Sequence, residues 1–193
     1  MPYCYRCAYG LTYPNCDLKC ARRLEDVVRD GDFAALIIEP IQGNGGIITP
    51  PPEYFQLIRE ILNKYKVLLI TDEVQTGFGR TGKMFAIEHW DVVPDIMCMG
   101  KGIGRTEHPW ALLLPMTLFA SAYTRPGGFN NRGNPVSATA ALATIDVIEN
   151  YRLVEKAKEL GDYFKKRIER FAAKIPHYRR RQRDGPLCWA WSW

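Results

Sequence analysis

The chain has 193 residues, of which 47% are hydrophobic and 24% are charged, and its formal net charge is +5. A charged fraction of this size is too low for a disordered chain, so we expect a folded globular protein. Much of the positive charge lies at residues 178–193, where four arginines stand beside one aspartate. Without this tail the chain holds 22 basic and 20 acidic residues, and this near-neutral balance argues against a nucleic-acid partner.

The sequence shows no pattern typical of a secretory signal or a membrane span. Its first residues, Met1 to Cys4, have no basic region followed by an apolar run. The longest aliphatic runs, such as Val67 to Ile70, are far shorter than the roughly 20 residues that cross a bilayer. We therefore expect a soluble, cytoplasmic protein with no membrane partner.

Four of the six cysteines lie near the start of the chain: Cys4, Cys7, Cys16 and Cys20. A Cys-x2-Cys followed by a Cys-x3-Cys has a spacing that would suit four thiolates around one zinc ion. Structural thiols in a surface segment explain the same spacing equally well, and a reducing compartment disfavours disulfides. We treat residues 1–30 as a cysteine-containing segment without an assigned metal ligand, with a small metal-binding interaction module as the alternative.

Short apolar runs and one helical pattern follow in regular order from Asp32. The predicted strands are 33–38, 67–70 and 96–99. The first two are continuous apolar runs, which are typical of strands buried on both faces. A helix is predicted over 53–66, because apolar residues recur at spacings of three and four: Phe55, Ile58, Leu62 and Tyr65. Strands separated by helices or long crossovers indicate an α/β fold with a mostly parallel sheet and flanking helices.

Each predicted strand ends in ionisable residues. Glu39 follows the first strand, Asp72 the second and Lys101 the third. Ligands of parallel α/β sheets bind at the carboxyl ends of the strands, so we expect these three groups to converge on one crevice. Each residue also has a structural interpretation, since carboxylates after strands often cap turns and a lysine between glycines is often solvated.

Several ordered motifs carry a resemblance to a known family. They are IEPIQG at 38–43, LLITDEVQTGFGRTG at 68–82, PDI at 94–96, GKGIG at 100–104 and GNP at 133–135. Together they resemble the class III aminotransferases, the pyridoxal-phosphate enzymes of the ornithine, acetylornithine and 4-aminobutyrate type. The resemblance covers most of residues 30–104 and 133–175, and it implies part of the fold-type I large domain.

The resemblance implies roles for five residues around pyridoxal 5'-phosphate. Lys101 is similar to the lysine that forms a Schiff base with the cofactor aldehyde, which requires an amine able to lose a proton, as burial favours. Asp72 would keep the pyridine nitrogen protonated, so that the ring can accept electrons from the substrate. Val74 would pack on the ring face, and Gln75 would hydrogen-bond the ring hydroxyl. Glu39 lies on the substrate side, where relatives pair a carboxylate with a mobile arginine.

The implied reaction is a two-stage transamination from an amino acid or ω-amino acid to a 2-oxo acid. Lys101 would also serve as the general acid and base that moves the substrate proton. The resemblance further implies a homodimer for the full-length protein. A racemase, an aminomutase or a decarboxylase of the same fold would carry the same Asp72 and Lys101, and an inactive fragment is a further alternative.

The sequence also departs from the family pattern. Complete relatives are longer, and neither their phosphate-binding turn nor their carboxylate-binding arginine has a match here. We therefore interpret residues 31–175 as a partial large domain and the chain as an internal fragment. Its predicted helices, 136–150 and 153–171, carry apolar residues that we expect to pack, with a dimer contact as one way of doing so: Leu153, Ala157, Leu160, Phe164, Ile168 and Phe171.

Two stretches have no family-like sequence. They are residues 105–132 and the basic, tryptophan-rich tail from Tyr178, which we place in an aperiodic segment at 176–193. Our hypothesis is that both stretches are out-of-frame translations, which the coding DNA tests directly. If neither shifted frame restores a family-like segment, the hypothesis is wrong.

Overall fold

The computed structural model describes residues 7–103, 111–115 and 135–172. Its helices and strands, in chain order, are α1 (Lys19–Arg29), β1 (Ala35–Ile38), α2 (Tyr54–Tyr65), β2 (Leu68–Asp72), a first 3-10 helix (Ala86–Trp90), β3 (Ile96–Gly100), a second 3-10 helix (Lys101–Ile103), β4 (Ala111–Pro115), α3 (Pro135–Asn150) and α4 (Leu153–Ala172). All three strands and all three helices predicted from the sequence are present, with ends shifted by two residues at most.

The four strands form one sheet in the order β1-β2-β3-β4. The first three are parallel, and β4 pairs antiparallel with β3. In the register, Ile38 is opposite Thr71 and Asp72 is opposite Cys98. The predicted mostly parallel α/β sheet is confirmed, and its three parallel strands end at one edge. β4 was not predicted and lies within the 105–132 stretch, whose other residues fall outside the described ones.

Among the described residues, a hydrophobic cluster packs α1, α2 and the first 3-10 helix against the sheet. Phe55 and Leu62 of α2 are completely buried together with Leu69 of β2. The ring of Phe55 meets that of Trp90 edge-on, with centroids 5.0 Å apart, and the Trp90 indole N–H donates to the Pro51 carbonyl at 2.9 Å. The stripe predicted on α2 therefore packs the helix against the core. After α2 the chain turns back at Lys66, which is in left-handed conformation, and begins β2.

The helix α1 was not predicted from the sequence. It begins after Leu18, which is in left-handed conformation and provides no side-chain cap, so the usual sequence signal of a helix start is missing. Most of its residues are charged, but Ala21 and Val28 are buried in the common core. Packing against α2, with an ion pair of 2.7 Å between Glu25 and Lys64, supplies the stability that local signals do not indicate.

One expectation about burial is wrong for the described residues. Strand β1 was expected to be buried on both faces, but Ile37 is 60% exposed, since no described residue covers its side chain. The apolar stripe of α4 was expected to pack, with a dimer contact as one way of doing so. Leu160 is 68% and Phe171 66% exposed among the described residues, and the dimer contact stays a prediction. Among the described residues, no helix has the length and apolar character of a membrane span.

Candidate active site

The parallel strands bring the three predicted ionisable residues to the same edge of the sheet. Glu39 directly follows β1, Asp72 is the last residue of β2, and Lys101 directly follows β3. Since β2 lies between the other two strands, Asp72 occupies the middle of this edge. The three residues share this edge, while their convergence on one crevice and their chemical roles remain predictions.

Asp72 is half-buried and is held by the turn that follows it. One of its carboxylate oxygens accepts a hydrogen bond from the Val74 backbone N–H at 3.0 Å. Its neighbour across the sheet is Cys98. Burial, and secondarily the negative charge of Asp72, raises the pKa of the Cys98 thiol, which favours the neutral thiol. The site therefore offers one fixed carboxylate beside an uncharged, half-buried neighbour.

Gly43 lies close to both Glu39 and Gln75. The Glu39 carboxylate accepts a hydrogen bond from the Gly43 backbone N–H at 2.9 Å. A Cβ added at Gly43 would lie only 2.1 Å from the Gln75 side-chain oxygen. The absence of a side chain at Gly43 therefore lets the exposed Gln75 amide lie against the loop that follows β1. The described partner of Glu39 is this backbone amide, a contact that the sequence did not predict.

Lys101 differs from the expectation that it would be buried among strand ends. The residue is exposed, and its backbone is left-handed with φ +45° where the chain leaves β3 for the second 3-10 helix. The next residue, Gly102, lies against Phe78, whose Cβ would be 3.1 Å from a side chain added at that glycine. Helix α3 and Phe78 both contact this turn, and the described residues nevertheless leave Lys101 exposed.

Glu73 is a buried residue of this edge to which the sequence interpretation gave no role. Its side chain is completely buried, and its carboxylate accepts hydrogen bonds from the Ala86 N–H at 3.0 Å, the Ile87 N–H at 2.8 Å and the Thr76 hydroxyl. Burial raises the pKa of Glu73, and the three donors oppose that shift. Strand alternation contained the signal, because Leu69, Thr71 and Glu73 share the core-facing side.

Two glycines after β2 shape the loop that follows this strand. Gly79 and Gly82 have left-handed backbones, with φ of +84° and +79°. Helix α4 lies directly on this loop: added Cβ atoms at these glycines would come within 3.2 Å of Val154 and 2.9 Å of Lys158. Glycine is therefore needed at both positions for backbone conformation and for the close approach of the helix.

The N-terminal cysteines show no arranged metal site in the part of the chain that the structure describes. Cys7 and Cys16 are half-buried and Cys20 is exposed, and all three are free thiols. Within residues 7–103, 111–115 and 135–172, no group of three or more histidine, cysteine or carboxylate side chains is placed to hold a metal ion. Cys4, the fourth predicted ligand of the zinc alternative, lies outside the described residues.

Comparison with known proteins gives consistent matches along most of the chain. The family model for class-III aminotransferases matches residues 4–190. A leucine/methionine racemase from Thermococcus litoralis is 41% identical over 172 residues, which cover 86% of this chain and 39% of the racemase. The chain spans about two fifths of the length of the relatives that it matches.

Solved aminotransferase structures share the same fold over the matched part. An ornithine aminotransferase from Plasmodium yoelii superposes with a TM-score of 0.73 at 35% identity, covering 81% of this chain and 42% of the other. An ornithine aminotransferase from Toxoplasma gondii gives a TM-score of 0.73 at 33% identity, covering 81% and 37% respectively. The structure of that Toxoplasma enzyme is described with pyridoxal phosphate partially occupying its active site.

Proposed function

The chain belongs to the class-III aminotransferases, and we propose that it carries the catalytic edge of an enzyme that moves an amino group from an amino acid or ω-amino acid to a 2-oxo acid. The observation that carries this proposal is the placement of three functional groups at the ends of two neighbouring strands. A carboxylate, a side-chain amide and a primary amine, from Asp72, Gln75 and Lys101, follow β2 and β3 at one edge of a parallel sheet.

The donor set at this edge fits pyridoxal 5'-phosphate, the cofactor of this family. Asp72 accepts from Val74 through one carboxylate oxygen, and an anionic acceptor at this position suits a protonated ring nitrogen. Gln75 offers both a donor and an acceptor for the ring hydroxyl. The narrow space that Gly43 leaves beside Gln75 keeps that amide close to the sheet edge. When bound, the cofactor supplies an electron-accepting ring and an aldehyde that reacts with amines.

Each residue of the edge has a distinct task in this proposal. Asp72 keeps the ring nitrogen protonated by its negative charge, and Val74 contacts the ring face with its apolar side chain. Gln75 orients the ring through its hydroxyl. Lys101 would provide the amine that holds the cofactor through its aldehyde, and the same amine, when free, would act as the general acid and base that moves the proton of the substrate α-carbon. Glu39 faces the substrate side and supplies a negative charge there.

The turn that carries Lys101 and the loop after β2 are in contact, and this contact bears on the proposed tasks. Lys101 leaves β3 in a left-handed turn whose next residue is packed against Phe78 of the loop after β2. The amine donor and the ring-holding residues are therefore carried by two loops in direct contact. Proton transfer requires heavy atoms at hydrogen-bond distance, so the relative position of these loops controls whether Lys101 reaches the substrate carbon.

We further propose a cytoplasmic homodimer for the full-length protein, without nucleic-acid or membrane partners. Support for a subunit contact comes from α4, where Leu160 and Phe171 are exposed together with other apolar residues. Exposed apolar patches of this kind are typical of interaction surfaces. In the same proposal, residues 31–175 belong to the large domain, while 1–30 and 176–193 are flanking segments.

A second candidate function is amino-acid racemisation. It is favoured by the 41% identity to the leucine/methionine racemase. The proposed tasks of Asp72 and Lys101 serve both reactions, because both begin by removing the α-proton of an amino acid. The two reactions differ in the atom to which the proton returns, and the residues of this edge suit both. A leucine sample with and without a 2-oxo acid separates the two: racemisation needs no oxo acid, whereas transamination consumes it.

The assignment of Lys101 is tested by trapping the cofactor on the protein. The purified chain is mixed with pyridoxal phosphate, reduced with borohydride, and digested so that mass spectrometry locates the adduct. We expect the adduct on the peptide containing Lys101 and its loss in Lys101→Ala. Lys83→Ala is the matched control, because Lys83 is an exposed lysine of the neighbouring loop. An adduct spread over several lysines, or retained unchanged in Lys101→Ala, would contradict the assignment.

A further inference from the structure

Glu73 connects the two ends of the loop that leaves the centre of the site. The loop runs over 74–85, between β2 and the first 3-10 helix, and it contains the proposed cofactor contacts Val74 and Gln75. At its start, the Gly77 N–H donates to the Glu73 carbonyl at 2.9 Å and the Thr76 hydroxyl donates to the Glu73 carboxylate. At its far end, the Ala86 and Ile87 N–H groups donate to the same carboxylate. We call these four bonds the Glu73 network.

The network is anchored in the sheet and in the core. The Glu73 N–H donates to the Cys98 carbonyl at 2.8 Å, which extends the pairing of β2 with β3 by one residue beyond Asp72. Ala86 and Ile87 are themselves buried in the hydrophobic cluster. One side chain therefore ties the loop to a strand at one end and to the core at the other.

The carboxylate is difficult to replace at this position. It accepts the Ala86 and Ile87 N–H groups through different oxygens, and both donors are buried. A glutamine of the same shape has one acceptor oxygen and one NH2 group, so one of these donors would face another donor. A buried N–H left without a partner costs about 1–3 kcal/mol. We expect this cost to loosen the loop at 74–85, since the core and the sheet are held by many other contacts.

The loop also reaches the turn of Lys101. Phe78 lies against Gly102, with its Cβ 3.1 Å from where a Gly102 side chain would begin, and Phe78 packs edge-on against Phe85 with centroids 5.7 Å apart. Phe85 directly precedes the 3-10 helix that Glu73 holds. The hydrogen bonds of the 3-10 helix to Glu73, the ring contact of Phe85 with Phe78 and the approach of Phe78 to Gly102 thus link Glu73 to the turn of Lys101.

We propose that Glu73 is a positioning residue that fixes Val74 and Gln75 at the cofactor edge and, through Phe78, supports the turn carrying Lys101. The link to the cofactor rests on the proposed function, whereas the effect of Glu73 on the conformation of the loop does not. Glu73 touches neither cofactor nor substrate in this scheme. Its effect passes through the conformation of the loop.

The test compares Glu73→Gln with Glu88→Gln by hydrogen–deuterium exchange in the absence of cofactor. Glu88 is the matched control because its carboxylate accepts one backbone N–H at the same 3-10 helix, that of Phe85 at 2.7 Å, and no described hydrogen bond joins it to residues 74–77. We expect amide exchange at Val74 and Gly77 to accelerate about 5- to 160-fold in Glu73→Gln, the factor that about 1–3 kcal/mol corresponds to. In Glu88→Gln those amides should be unchanged.

The second arm measures pyridoxal-phosphate affinity, with the exchange of α2 amides as a check that each variant is folded. We expect weaker binding in Glu73→Gln and wild-type binding in Glu88→Gln. Unchanged exchange at 74–77 in Glu73→Gln, or equal acceleration in both variants, would overturn the proposal, as would normal affinity despite a loosened loop. If the wild-type protein bound no cofactor, the proposed function would be refuted, and the exchange data would still show whether Glu73 holds the loop.

A milder variant covers the case in which Glu73→Gln does not fold. Thr76→Val keeps the side-chain shape and removes only the hydroxyl that donates to the carboxylate. We expect faster exchange at Gly77 and no change at Ile87, whose bond to the other carboxylate oxygen remains. Equal exchange of the variant and the wild type at Gly77 would contradict a loop held by Glu73.

Discussion

Replacing Gly43 with alanine tests whether the space beside Gln75 is a functional feature of the site. The new Cβ would lie 2.1 Å from the Gln75 side-chain oxygen, 2.6 Å from its carbonyl carbon and 2.9 Å from its nitrogen. An ordinary contact begins at about 3.4 Å, so the amide has to move by more than about 1 Å. Gly43 has no left-handed backbone, and alanine keeps the N–H that Glu39 accepts, so the fold and that hydrogen bond should remain.

The size of the effect follows from one displaced hydrogen bond. A neutral hydrogen bond contributes about 0.5–1.5 kcal/mol, and a shift of about 1 Å carries its atoms out of bonding range. We therefore expect pyridoxal phosphate to bind about 2- to 10-fold more weakly to Gly43→Ala, measured by titration of the cofactor absorbance. The free energy of unfolding should change little, since the displaced group is the end of an exposed, flexible side chain.

Two further variants make this prediction refutable. Gly45→Ala is the matched control, because it lies in the same turn and its Cβ would meet Gln42 rather than Gln75. It should bind the cofactor as the wild type does. In a Gln75→Ala background, Gly43→Ala should cause no additional loss, because the group it displaces is already absent. Equal weakening by both glycine variants, or a further loss in the Gln75→Ala background, would refute the reasoning.

Further predictions concern the stability of the fold, measured by urea unfolding. Although burial opposes its ionisation, hydrogen bonds from Arg59 (2.6 Å) and the Leu69 N–H (2.7 Å) lower the pKa of Asp95. Asp95→Asn should therefore cost about 1–3 kcal/mol at pH 7, and this difference should shrink as the pH falls through the lowered pKa; a constant difference would contradict it. Phe55→Ala should cost about 3–5 kcal/mol, whereas Leu160→Ala should stay within about 0.5 kcal/mol; equal losses would contradict the assigned core.

The pH dependence of Glu73 has the opposite sign to that of Asp95. Burial raises the pKa of Glu73 in the folded state, so the folded chain binds its proton more readily than the unfolded chain does. This contribution to stability is present below the ordinary carboxyl range and is lost as the pH rises through the raised pKa. Glu73→Gln should remove this part of the pH dependence of unfolding. An identical pH profile for the variant and the wild type would contradict the assignment.

Local sequence patterns were sufficient for the elements with strong periodicity or continuous apolar runs. Helix α2 shows both a stripe of buried residues and clear ends, and the strands β2 and β3 are apolar runs closed by polar residues. Helix α1 and strand β4 escaped prediction for different reasons. The first has few apolar positions and no side-chain cap, and the second lies in a stretch whose sequence was interpreted as out of frame, so that no element was predicted there.

The candidate site was predicted as a set of strand ends rather than as a set of contacts. Placing Glu39, Asp72 and Lys101 at one edge needs only the position of each residue after a strand and a parallel sheet. The contacts themselves join residues from different loops, as with Gln75 beside Gly43. Such pairs depend on the order and register of the strands, which no spacing within a single motif encodes.

By itself, the sequence determined the family resemblance, the α/β class and the residues that stand at the sheet edge, because these depend on residue types and spacings along the chain. Only the tertiary structure decided that Glu39 bonds to Gly43, that Glu73 holds both ends of the following loop, and that Lys101 is exposed. The physical reason is that burial and hydrogen-bond partners arise where distant segments meet. Glu73 and Ile87 are 14 residues apart in the chain, and packing around the sheet is what brings them to 2.8 Å.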